Sequence, residues 1–129
     1  MSMTAYVDLG PPDVEFMFQN EQSAPRAARQ ALSPIIGSGS LANDVKLAAS
    51  ELVTNVVRHT DKGGSIHAWG GNPLRLEVHD TSPVLPARVD RPTNSGRGLR
   101  IVDAVSSDWG ARTTPNGKMV WAEFDSASR

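Results

Sequence analysis

The stretch from Leu41 to Thr60, "LANDVKLAASELVTNVVRHT", constrains the fold more than any other part of the chain. Leu41, Val45, Ala49, Leu52, Val53 and Val56 recur at helical spacing and form a broad apolar face that has to be covered by another layer. At about 100° per residue, Asp44, Glu51, Asn55 and Arg58 fall in one narrow sector, with His59 beside it. Leu47 borders that sector on one side, and Ala48 and Leu52 border it on the other. Lys46, Ser50 and Thr54 take the ordinary solvent side. A carboxylate and a carboxamide one turn apart, between apolar edges, describe a half-buried polar cleft. The alternative is a surface helix with a Glu51–Arg58 pair spread over two turns.

The rest of the chain supplies the covering layer. In "VEFMFQ", Val14, Phe16 and Phe18 alternate with Glu15, Met17 and Gln19, which is a strand pattern. "SAPRAARQALSPII" reads as a helix with Ser23 as its cap and Pro34 bending or ending it. "GSGS" at 37–40 is a loop. After the long helix, Gly63 and Gly64 provide the turn. "SIHAWGG" and "LRLEVHD" form a hairpin across Gly71, Asn72 and Pro73. Residues 81–95 hold three prolines and no period, and such long loops are usually functional. A helix runs from Gly96 through "GLRIVDAVSSDW". Strands around "GART" and "MVWAEF" close the chain across Pro115, Asn116 and Gly117.

That order predicts an α+β fold: a two-layer sandwich whose mixed, mostly antiparallel sheet carries its helices on one face. Residues 1–12, with Gly10, Pro11 and Pro12, read as a mobile N-terminal arm, and 13–129 as one domain. The 129 residues are enough to bury such a core, and 39% hydrophobic with 21% charged residues is a globular composition. Cysteine is absent, which excludes disulfides and thiolate metal sites. No apolar run approaches the roughly 20 residues that span a bilayer, and the N-terminus lacks a secretory pattern. A cytoplasmic location is the expectation. A net charge of −1 argues against direct nucleic-acid binding. Arg88, Arg91, Arg97 and Arg100 nonetheless lie close together, as a solvated surface cluster or as phosphate ligands.

Three stations carry chemistry. The Asn55 oxygen is a neutral hard ligand suited to Mg²⁺, and Glu51 one turn earlier is placed to act as a base near phosphates. In "LRLEVHD", Leu74, Leu76 and Val78 share a strand face, and the period of two puts Asp80 on it. That acid needs a donor, either an adenine amine or the backbone of the next turn. In "SGRGLRIVD", Gly96 and Gly98 flank Arg97 where a loop enters a helix. Open backbone N–H groups there form an anion site.

In this order the three stations resemble the GHKL ATPase superfamily, and most closely the small bacterial anti-sigma factor serine kinases. "ELVTNVVRH" is similar to the N box, "VHDTSP" stands at the G1 box, and "GRGLRIVD" is similar to the G2 box. "AAR" in the first helix, "LAASELVTN", and the closing "WG" with "GKMVWAEF" extend the likeness from about residue 13 to 125. The resemblance implies the histidine kinase-like ATPase (Bergerat) fold, ATP and Mg²⁺. It makes Glu51 the general base and Asn55 the Mg²⁺ ligand, with Arg58 and His59 beside the phosphates. Asp80 would accept the adenine amino hydrogen, with Thr81 beside it. Gly96, Arg97, Gly98 and Leu99 would wrap the phosphates, and residues 81–95 would be the ATP lid.

The implied activity is phosphorylation of a serine on an anti-anti-sigma (STAS-domain) partner, together with sequestration of a sigma factor, with homodimerisation frequent. Two departures stand out. The usual D-x-G-x-G becomes Asp80, Thr81, Ser82, Pro83, which removes two glycines from the turn. Lys118 and Met119 follow Gly117 where the family often has Thr near adenine. They leave a second expectation open: a catalytically weak or inactive nucleotide-binding module that acts by sequestration alone. A histidine kinase core would need a phosphoacceptor helix, and a gyrase- or chaperone-type ATPase a following transducer domain.

Overall fold

Strand alternation and helical periodicity meet in one interface. The computed structural model describes residues 9–85 and 96–128. Among the described residues, β1 (Val14–Phe18), β2 (Gly64–Trp69), β3 (Leu74–Asp80), β4 (Asp108–Thr114) and β5 (Gly117–Phe124) form one sheet in the order β1-β2-β3-β5-β4. Every pairing among the described residues is antiparallel, so the parallel component allowed for in the expected mixed sheet is not found among them. Helices α1 (Ala24–Ile36), α2 (Ser40–His59) and α3 (Gly96–Val105) cover one face.

Register explains which strand residues meet the helices. Val14, Phe16 and Phe18 lie opposite Ala68, Ile66 and Gly64. Leu74, Leu76 and Val78 lie opposite Phe124, Ala122 and Val120, and Asp80 lies opposite Lys118. The apolar members of these rows are buried with Leu32, Val45, Ala49, Leu52, Val53 and Val56 from the helices, except Val14 and Phe16, which are partly buried against them. Each fully buried Val or Leu contributes roughly 1.5–3 kcal/mol of burial. Asp80 and Lys118 thus extend the core-facing rows of two neighbouring strands beyond the point where the core stops.

Several local expectations are corrected. Ser23 precedes α1 but makes no capping hydrogen bond, because its backbone is helical (φ −78°, ψ −8°). Pro25, in the first turn, also has no N–H to offer. Pro34 does not end α1 at once, and the helix continues to Ile36. Gly63 and Gly64 do not form a left-handed turn, since neither has positive φ. They are needed for contact: a Cβ on Gly63 would lie 1.7 Å from the Phe18 carbonyl oxygen, and one on Gly64 would lie 2.3 Å from that of His79. The end of α2 is closed by Thr60, whose N–H and hydroxyl both donate to the Val56 carbonyl. Asp108 and Trp109 belong to β4 rather than to the preceding helix. Lys46, Ser50 and Thr54 are half-buried, because α1 packs there and Arg29 donates to Ser50 Oγ at 2.8 Å. Solvent instead meets Asn43, Leu47 and Arg58.

The opposite face of the sheet carries a polar chain. Glu15 pairs with His67 (3.4 Å), His67 meets His79 edge-on (4.7 Å between ring centroids), and His79 bonds Glu77 (3.0 Å). Arg75 joins Glu77 and Glu123, and its guanidinium lies over Trp121. Gly110 leaves room for that indole, since a Cβ there would come within 2.9 Å of the ring.

Candidate nucleotide site

A cavity of about 440 Å³ opens where α2, the ends of β3 and β5, and the start of α3 converge. Its volume is in the range of small-molecule sites. From α2 come Leu52, Asn55, Val56 and His59; from the sheet, Val78, Asp80, Lys118 and Val120; from α3, Leu99. Ser82, Val84 and Leu85 form the rim after β3. Apolar walls with a few convergent polar groups suit a flat heterocycle.

Asp80 is buried, and both of its carboxylate oxygens are engaged. Ser82 N–H donates to Oδ1 at 2.8 Å, and Lys118 Nζ donates to Oδ2 at 2.7 Å. The acid is therefore aimed into the cavity as anticipated, and it also caps the following turn. Of the two donors left open for it, the backbone of the next turn is the one in place, through the Ser82 N–H. Lys118 sits beside it because Lys118, Val120, Ala122 and Phe124 share the inward face of β5. That pairing was legible in principle from the alternation of "GKMVWAEF", but it depends on knowing that β5 lies next to β3.

Asn55 is half-buried in the wall of the same cavity, one turn after Glu51, which is also half-buried. Glu51 is not among the lining residues. The surface-pair alternative fails, because among the described residues no ion pair joins Glu51 to Arg58. His59 and Arg58 are both exposed, but only His59 lines the cavity. Thr81 is exposed and faces a second cleft that also includes Thr114 and Asn116. Leu99 is fully buried in the cavity wall. Gly96 and Gly98 lie in the first turn of α3, as expected, and Leu99, which follows them in that turn, lines the cavity. The side chain of Arg97 lies outside the described residues, as do Arg88, Arg91 and positions 86–95 of the anticipated lid. Positions 1–8 of the anticipated arm are outside them too.

The fit to a nucleotide can be judged from these groups. The lining combines the buried Asp80 carboxylate, the Asn55 carboxamide and apolar side chains, with Leu99 bringing the first turn of α3 to the wall. Among the described residues no cluster of three acidic, His or Cys side chains could hold a metal unaided. The Asn55 carboxamide is the neutral oxygen donor in this lining that would hold Mg²⁺, an ion that keeps several waters and leans on phosphate oxygens.

Residues 19–124 match the family described as the histidine kinase-like ATPase domain. The chain belongs to that family, and with it come an ATP-binding domain and a kinase-like, ATP-using type of activity. No curated protein matches the chain significantly. Among the described residues no helix is long and apolar enough to cross a membrane.

Proposed function

We propose that the chain is a cytoplasmic, ATP-dependent protein serine kinase of the anti-sigma factor type, with 13–129 working as one ATP-binding unit. Its protein substrate is a STAS-domain anti-anti-sigma partner, and without that partner it holds a sigma factor, acting as a homodimer. The observation that carries this reading is the one cavity lined jointly by Asn55 of α2, Asp80 of β3 and Leu99 from the first turn of α3.

In this reading Asp80 accepts the exocyclic amine of adenine at the closed end. The first-turn N–H groups of α3, at Gly96, Arg97 and Gly98, hold the phosphates, with His59 at the mouth; Arg58 and Thr81, both outside the lining, would act from its surroundings. Mg²⁺ bound at Asn55 supplies charge neutralisation on the phosphate oxygens. The partner's serine oxygen attacks the γ-phosphorus, its proton passes to Glu51, and the bond to the β-phosphate oxygen breaks to leave ADP. Glu51 is one helical turn from the metal ligand, so a base there acts on a group beside the γ-phosphate rather than beside the base.

The test is phosphate transfer from Mg-ATP to the STAS partner. Glu51→Gln is expected to reduce it by about 10²–10⁴-fold while nucleotide binding persists. Transfer that is absent from the natural protein, or unchanged in the variant, would falsify the kinase reading. The engagement of Asp80 by Lys118 and Ser82 favours a second reading, a sequestering module with little or no nucleotide. Calorimetry separates the two: that module binds its protein partner and gives no heat with Mg-ATP.

A further inference from the structure

Lys118 is the polar group of the cavity that the proposed phosphoryl transfer leaves without a task. Its side chain is only 13% exposed, and Nζ spends one donor on Asp80 Oδ2 at 2.7 Å. The other two donors of the ammonium have no partner among the described residues. Asp80 is held from its other side by Ser82 N–H. A carboxylate has about four acceptor positions, so about two remain. Leu52, Val78, Leu99 and Val120 around the pair offer neither donor nor acceptor side chains.

A lone buried carboxylate only accepts. It satisfies a ring amine and repels a ring carbonyl set against it, leaving both groups unpaired, which is how a polar site rejects a near-isostere. Lys118 changes that arithmetic by placing unspent donors beside unspent acceptors. We infer that the Asp80–Lys118 pair makes the base end of the cavity permissive toward both kinds of purine. A 6-aminopurine gives its amine hydrogen to Asp80 and takes a hydrogen bond from Lys118 on its ring nitrogen. A 6-oxopurine takes one from Lys118 on its carbonyl oxygen and gives its ring N–H to Asp80. The flexible four-carbon stem of lysine lets the ammonium shift between the two arrangements while Ser82 keeps the carboxylate in place. The ligand class is therefore purine nucleoside triphosphates at large, ITP and GTP beside ATP. This rests on the nucleotide-binding reading above and deepens it.

Calorimetric titration of the full chain with Mg-ATP, Mg-ITP and Mg-GTP tests the inference without any variant. ITP and GTP are expected to bind within about tenfold of ATP, the discrimination that one charge-assisted hydrogen bond would otherwise impose. Lys118→Thr, checked for folding by its circular dichroism, is expected to widen the preference for ATP by about tenfold or more. A natural protein that binds ATP but holds both oxopurines more than about tenfold weaker overturns the inference and leaves the nucleotide reading standing. An ATP preference unchanged in Lys118→Thr does the same. Failure of all three nucleotides to bind the natural protein overturns both.

Discussion

At Gly117 the chain has no room for a Cβ: an added one would lie 2.0 Å from the Asp80 carbonyl oxygen and 2.6 Å from Thr81 Cα. The glycine lets β5 approach the end of β3, and the next residue is Lys118. Gly117→Ala is therefore expected to destabilise the fold by roughly 1–3 kcal/mol, as forced overpacking does, and to separate Lys118 from Asp80. Urea unfolding measures the first effect, and loss of nucleotide heat alongside it reports the second. A neutral Gly117→Ala would mean the two strands tolerate a wider spacing. The glycine itself is plain in the sequence, but its function is not, because the atoms that crowd it come from residues 80 and 81. Asp80 was legible from alternation alone. Its donor from the next turn, the Ser82 N–H, was legible too, but Lys118 was not, since it belongs to a strand 38 positions away.

The long helix α2 depends on a residue far from it in sequence. Asn20, just after β1, donates from Nδ2 to the carbonyls of Val57 (3.1 Å) and Thr60, both at the helix C-terminus. These are orphan acceptors of the last turn, and satisfying them fixes where the helix ends. The end matters because Asn55, His59 and the cavity mouth lie in that turn and the one before it. Asn20→Ala is expected to cost about 1 kcal/mol. In a domain of this size that is a melting temperature lower by roughly 2–8 °C. A scanning calorimeter reads the shift, and an unchanged melting temperature would leave the C-terminus of α2 held by Thr60 alone. The helix was evident from its period. Its end near Thr60 was evident as well, whereas Gly63 and Gly64, read as the turn that follows, serve strand contact instead.

Across the whole molecule, the helix-free face of the sheet makes stability depend on pH. Burial, and the His79 ring next to it, hold the His67 pKa below its ordinary value of 6.5, and these outweigh the opposing pull of Glu15 and Glu77. Glu77 is held below its ordinary 4.5: burial alone would raise it, but hydrogen bonds from His79 and Arg75, and the charge of both, prevail. Both groups bind protons less readily folded than unfolded, so acidification favours the unfolded chain. Stability is expected to be flat above pH 6.5, to fall as pH drops through the lowered His67 value, and to fall further below 4.5 as Glu77 is forced to protonate. Urea midpoints across that range check it, and His67→Gln should remove the first decline while keeping the second. A midpoint independent of pH between 6.5 and 4.5 in the natural protein would contradict the assignment to His67.

The sequence by itself determined the elements, their inward faces and the three stations of the site, because those follow from periods of 2 and 3.6 and from glycine at a loop-to-helix junction. It placed Glu51 and Asn55 on one helix stripe and Asp80 on the core side of its strand. Only the tertiary structure decided that β5 lies between β3 and β4, that Lys118 therefore meets Asp80, and that Glu51 stands back from the cavity Asn55 lines. Local periodicity fixes the direction of a side chain relative to its own backbone. Which group it meets is set by strand order and register, and those are decided by the burial of the whole core.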